Sequence, residues 1–139
     1  MATFKSALGK KAKKLLETEY ILWLTTIDAN LTPQPRPVWF VPDGDDVIIY
    51  SKPHTAKVGH IRLHPNVSLH FNTDREANEP VMVLIGSAIL DDDTPDAKDF
   101  APYIKKYKRG MADLGMPPED FTKSYAQPIR IKITNIRGW

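Results

Sequence analysis

The chain has 139 residues, 42% of them apolar and 26% charged, with a net charge of +2. This is the profile of one globular domain with a real core and no global attraction to nucleic acid. The absence of cysteine excludes disulfides, thiolate metal sites, iron–sulfur clusters and cysteine nucleophiles, and no apolar run is long enough for a signal peptide or a membrane span. A single cytoplasmic domain over residues 1–139, with no membrane partner, is the expectation.

Residues 5–18 read as a helix, with Ala7, Leu8, Ala12, Leu15 and Leu16 at helical spacing and lysines on the other face. Ile21 to Ile27 is an apolar, β-branched strand, Asp28-Ala29-Asn30 a turn, and Gln34 to Val41 the return strand. Pro33, Pro35 and Pro37 alternate through its start. Proline cannot donate to a ladder, so something other than a regular sheet partner faces those positions. Pro42-Asp43-Gly44-Asp45 is a hairpin turn leading into strand 46–51. Val58, Ile61 and Leu63 mark a short helix ended by Pro65, and Val67 to Asn72 is an alternating strand. The run 81–90 is apolar at nearly every position, so both faces need cover and a second copy of the chain is expected on one of them. Asp91, Asp92 and Asp93 open a helix from about Pro95 to Tyr107. A short helix at 118–125 precedes a last strand, Ile129 to Ile136. About six antiparallel strands in so short a chain favour a closed barrel.

Chemistry concentrates in Ser51-Lys52-Pro53-His54-Thr55-Ala56-Lys57, between a strand and the start of a helix. The first N–H groups of a helix lack internal partners and carry partial positive charge, so phosphate sits there readily. Lys57 adds a full charge, and Ser51 and Thr55 add donors that orient an anion. A capped helix with ordinary solvent lysines reads equally well. His60 and His64 are four apart on a helix, a zinc-like spacing, but with no third ligand evident they read as surface histidines and no metal site is expected. His70, between Leu69 and Phe71, reads as a core or interface residue with a possible approach to a ligand. No serine sits in a glycine-flanked elbow, and neither phosphate-loop nor dinucleotide-binding glycine motifs occur. Lysines 5, 10, 11, 13 and 14, and the cluster Lys105, Lys106, Lys108 and Arg109, are solvated helix faces or a basic rim for an acidic ligand. Aromatic residues do not interleave with the lysines, so a nucleic-acid partner is not expected.

Four segments in order carry a resemblance: Leu22 to Thr26, Thr32 to Phe40, Tyr50 to Lys57 and Ile61 to Leu69, with the ending Ile136-Arg137-Gly138-Trp139. Together they resemble the pyridoxamine-phosphate-oxidase-like split-barrel family of flavin-binding proteins. The likeness is strongest to its branch that uses the deazaflavin coenzyme F-420. The resemblance implies a mainly β fold with flanking helices, a six-stranded antiparallel split β-barrel of the FMN-binding type, working as a homodimer. It implies a cofactor, coenzyme F-420 (8-hydroxy-5-deazaflavin) or FMN, and hydride transfer to a small organic substrate. Carried over by position, Gln34, Arg36, Pro37, Val38 and Trp39 line the tricyclic ring. Tyr50 and Ser51 support ring and side chain, and Lys52, Thr55 and Lys57 bind phosphate. Trp39 and Tyr50 read equally well as core. Many members carry arginine where Thr55 stands, which shifts weight to Lys57, and the chain lacks the C-terminal extension of true pyridoxamine phosphate oxidases, so vitamin B6 oxidation is not expected. The alternative is a flavin- or haem-binding module without turnover. No catalytic acid or base is singled out, and hydride transfer itself needs none.

Overall fold

A computed structural model describes residues 4–139; Met1, Ala2 and Thr3, part of the stretch scanned for a signal peptide, lie outside the described residues. Helix α1 (Ala7–Thr18) begins where the Ser6 hydroxyl accepts the Gly9 N–H at 2.9 Å, the usual N-cap device. Its buried stripe, Ala12 and Leu16, packs into the barrel core. Seven strands follow: β1 (Ile21–Ile27), β2 (Pro33–Trp39), β3 (Val41–Asp43), β4 (Asp46–Ser51), β5 (Asn66–His70), β6 (Met82–Leu90) and β7 (Gln127–Gly138). Three further helices are α2 (Ala56–Leu63), α3 (Ala101–Asp113) and α4 (Pro118–Ser124). Among the described residues no helix is long and apolar enough to cross a membrane.

The strands form one antiparallel sheet in the order β2-β1-β5-β6-β7-β4-β3. Its first and last members are separated in sequence by Phe40 alone, so one bent strand closes the curled sheet on itself. This is the expected mainly β split barrel with flanking helices. The count of seven rather than six arises because the return strand expected over 34–41 breaks at Phe40. The break has a cause 67 residues away. Tyr107, on α3, places its hydroxyl 2.8 Å from both the N–H and the carbonyl oxygen of Phe40, and 2.7 Å from the Tyr20 carbonyl. Oη accepts the Phe40 N–H and has one proton to give to the two carbonyls. Lys106 Nζ donates to Phe40 O at 3.0 Å. A strand whose peptide is claimed by a helix cannot extend its ladder there.

The bend also divides the interior. Phe40 points into the barrel with Leu22, Leu24, Leu69, Leu84 and Ile131. Val41, Ile48, Tyr103, Tyr107, Met111 and Phe121 form a second core between the barrel wall and helices α3 and α4. β3 pairs with β4 only from Val41↔Ile48 to Asp43↔Asp46, so beyond Ile48 strands β2 and β4 part and the barrel is split. β2 keeps its pairing with β1 from Ile21↔Trp39 to Ile27↔Pro33. That ladder must draw on the N–H groups of residues 34, 36 and 38, which leaves the three prolines facing the split. The sequence expectation for that edge therefore has a structural counterpart.

Several local expectations are corrected. The helix expected over 95–107 is a 3-10 turn at Ala97–Asp99 followed by α3, which runs to Asp113. Asp91 does not serve a helix N-terminus; its carboxylate receives Arg130 Nε at 3.1 Å and the Thr94 hydroxyl at 3.0 Å. Arg130 also meets Asp43 at 3.0 Å and Asp46 at 3.1 Å, tying β7 to the β3–β4 hairpin. β6 alternates buried Met82, Leu84 and Ala88 with half-buried Val83 and Ile85 and an exposed Ile89. Its outward apolar face is thus only partly covered within one chain.

Candidate functional site

A cavity of about 500 Å³ opens at the split. β2 supplies Arg36, Pro37, Val38 and Trp39; Tyr50 comes from β4 and Lys57 from α2. Tyr103 of α3 and Phe121 of α4, with Tyr125 just beyond it, close the far wall, and Ile21 and Leu114 complete the lining. Each wall follows from the fold. The split exists because β3 is short, the unpaired β2 edge exists because of its prolines, and α3–α4 covers the gap with aromatic residues.

Six of the ten residues expected at a cofactor site thus share one cavity. Gln34 does not join them: its Nε2 donates to Asp28 Oδ2 at 3.0 Å, in the turn between β1 and β2. That bond, after the Thr32 backbone N–H, holds the Asp28 carboxyl below its ordinary pKa. Ser51, Lys52 and Thr55 form the adjoining rim. Ser51 is buried, with Oγ 3.1 Å from Thr55 Oγ1, and both hydroxyls lie within reach of Lys52 O, at 3.0 and 3.2 Å. Thr55 is the N-cap residue of α2, yet its side chain makes no capping hydrogen bond. The first-turn N–H groups of α2 are therefore free of a side-chain cap beside Lys57, the feature an anion would use.

Charge at this end is one-sided. The pKa of Lys57 is pushed down, first by burial and then by the positive charges of Arg36 and Lys52, and that of Arg36 is pushed down by burial. The salt bridges among the described residues involve Lys11, Lys13 and Arg130, none of the three cations here. Lys57 Nζ has the Thr55 hydroxyl at 3.3 Å, and Lys52 Nζ lies 5.6 Å from the centroid of the Tyr125 ring. Three cations gathered without a carboxylate repel one another, and an anion relieves that repulsion.

The other end is aromatic. Trp39 stacks on Tyr107 at 4.5 Å and 7° and on Phe121 at 5.6 Å and 16°. Tyr50 meets Tyr103 edge-on at 4.7 Å and donates to Pro95 O at 2.5 Å. Both residues are core and cavity wall at once. Burial, then the Asp96 carboxylate, pushes the Tyr50 phenol pKa upward, so it is a neutral donor. Tyr103, Phe121 and Tyr125 escaped the sequence reading. Their only sequence signal is the Tyr103–Tyr107 spacing of four on one helix face, which looks the same in any packed helix.

No histidine is among the residues lining the cavity. His60, read as a surface residue, is instead half-buried with Nδ1 2.8 Å from the hydroxyl of the wholly buried Thr26, pinning α2 to β1. His70 stacks on Trp23 at 6.0 Å and 3° on the outside of the barrel. Among the described residues no three groups suited to a metal ion come together. The arrangement fits a flat ligand with an anionic end: cations without a carboxylate partner and uncapped helix N–H groups at one end, ring faces at the other.

The family model described as pyridoxamine 5'-phosphate oxidase matches residues 8–139. No curated protein matches the sequence. Among solved structures, an F-420 reductase superposes with a TM-score of 0.64 at 24% identity, covering 90% of this chain and 94% of that one. General stress protein 26 from Bacillus anthracis gives 0.68 at 20% identity, covering 91% and 89%. HutZ, the haem storage protein from Vibrio cholerae, gives 0.63 at 13% identity, covering 96% and 95%. At these identities the structural likenesses speak for the fold alone.

Proposed function

Since this chain belongs to the pyridoxamine 5'-phosphate oxidase family, we propose that its cavity binds a phosphorylated flavin-type cofactor, coenzyme F-420 or FMN, and that the protein is an oxidoreductase acting on a small organic substrate. The observation that carries the reading is Lys57, half-buried in the cavity wall beside Arg36 and Lys52 with no carboxylate to answer it. The resemblance to the F-420-using branch favours the deazaflavin.

In this reading Lys57, Arg36 and the first turn of α2 hold the phosphate, and Lys52 with Thr55 guards its rim. Trp39, Tyr50 and the proline edge of β2 bound the ring, and the aromatic residues of α3 and α4 exclude water from it. When bound, the cofactor supplies the hydride chemistry. The protein acts as a homodimer through the outer face of β1, β5 and β6, where Trp23, His70, Val83 and Ile85 are half-buried in one chain.

The test is Lys57→Ala. Purified protein is denatured and its released cofactor identified by mass spectrometry, and the variant is compared with the wild type. The variant should keep its fold and lose the cofactor; full retention would remove this site. Reduction of the bound cofactor by a hydride donor separates the enzyme from a binding module, which would hold it without turnover. Light scattering on the eluting protein tests the dimer.

A further inference from the structure

Tyr103 lines the cavity and is wholly buried, and its Oη is the one buried side-chain polar atom among the described residues with no hydrogen-bond partner. Tyr107, one helical turn along the same face of α3, shows the contrast: its hydroxyl has three backbone atoms within hydrogen-bond distance. A buried hydroxyl left without a partner is costly, and native interiors keep few of them. Phenylalanine would fill the same space, against Tyr50 at 4.7 Å and Tyr107 at 4.8 Å, without that cost. The oxygen therefore calls for a partner from outside the chain.

We propose that Tyr103 Oη donates a hydrogen bond to an acceptor on the planar ring of the bound cofactor, a carbonyl oxygen or an unprotonated ring nitrogen. The proposal rests on the cofactor reading above and adds a second determinant to it. Lys57 and Arg36 recognise the phosphate, which any nucleotide-like anion carries, whereas Tyr103 reads the edge of the ring. Without ligand, Oη is shut off from solvent. Tyr125, half-buried and stacked on Phe121 at 4.3 Å, lines the same cavity, and contact with the shielded Oη requires a wall side chain to give way as the ring enters. Burial, then the neighbouring Tyr107 and Tyr50 hydroxyls, pushes the Tyr103 phenol pKa upward, so it offers a proton at any physiological pH. A buried donor discriminates far more sharply than a ring face, because a ligand without an acceptor leaves the donor unmatched.

The experiment is Tyr103→Phe beside Lys57→Ala, titrated with coenzyme F-420, FMN and riboflavin by fluorescence, with thermal melting of each ligand-free protein. Tyr103→Phe should melt at or above the wild-type temperature. It should bind whichever probe the wild type binds roughly tenfold more weakly, and lose as much affinity for riboflavin as for FMN if flavins bind. Lys57→Ala should weaken only the phosphorylated probes. Affinity of Tyr103→Phe within twofold of wild type overturns the proposal and leaves the cofactor reading standing, and so does a melting temperature well below wild type, which would reveal a partner inside the chain. A wild-type protein that binds none of the three probes overturns the cofactor reading and this proposal with it.

Discussion

Tyr107→Phe tests whether the closure of the barrel depends on one oxygen. The substitution keeps the ring, and with it the stack on Trp39 at 4.5 Å. What disappears is the acceptor for the Phe40 N–H at 2.8 Å and the donor shared by Tyr20 O and Phe40 O. Phe40 O keeps Lys106 Nζ at 3.0 Å, so the uncompensated losses are the Phe40 N–H and the Tyr20 carbonyl. Leaving the buried Phe40 N–H unpaired costs about 1–3 kcal/mol, and with the part-buried Tyr20 carbonyl beside it a loss of about 2.5 kcal/mol is the expectation here. A chain of this length unfolds with an entropy of about 0.3 kcal/mol/K, so the melting temperature should fall by about 8 °C. Equilibrium urea unfolding gives the free energy directly, and its m-value should not change, because the folded surface is the same. A loss below about 0.5 kcal/mol would show that Phe40 finds another partner and that the bend does not depend on α3. The same atom removed one turn earlier, at Tyr103, should cost nothing in the ligand-free protein.

Three further outcomes follow from the packing. Lys106 lies 3.6 Å from the centroid of the Phe40 ring, and burial, opposed by Glu19, pushes its pKa down to about 8 from 10.5. The folded state then binds this proton less readily than the unfolded one, so its penalty is full below pH 8 and is relieved as pH rises toward 10.5. Wild type should therefore gain stability relative to Lys106→Met across that window; parallel pH profiles would refute the assignment. Arg130→Met leaves Asp43, Asp46 and Asp91 converging without a counter-charge. It should cost about 2 kcal/mol in urea unfolding at neutral pH, with the deficit shrinking in acid as Asp91 takes up its proton. Burial pushes that carboxyl's pKa up, but the bonds from Thr94, the Asp93 N–H and Arg130 hold it below its ordinary value. Gly86 sits at the β6–β7 register shift, and a Cβ there would lie 2.6 Å from Lys132 O and 2.9 Å from Ile131 Cγ2. Gly86→Ala should destabilise by roughly 2–3 kcal/mol, read from the urea midpoint.

Most elements were legible because their causes are local. β1 is an apolar, β-branched run, Ser6 caps α1, and Gly44 at φ +61° turns the β3–β4 hairpin as its sequence requires. The break at Phe40 was not legible, because its cause is a hydroxyl 67 residues distant. At the site, Lys57, Arg36 and Trp39 were readable as a charge at a helix start and as members of a recognised motif. Gln34 stands apart from the cavity lining, because Asp28, in the turn before β2, takes its amide, a contact that no sequence pattern announces. Tyr103 and Phe121 lie on apolar helix faces, and nothing in that pattern distinguishes a residue facing another helix from one facing a cavity. The missing hydrogen bond of Tyr103 exists only in three dimensions.

The proline edge of β2 has a consequence beyond the cavity. A gap in a barrel exposes a raw strand margin, the kind of margin on which a second chain can template itself and begin an aggregate. Here that margin offers carbonyl acceptors but no amide donors at positions 33, 35 and 37. A foreign strand laid along it would find only half of its ladder, so the barrel can stay open to small molecules while staying closed to other polypeptides.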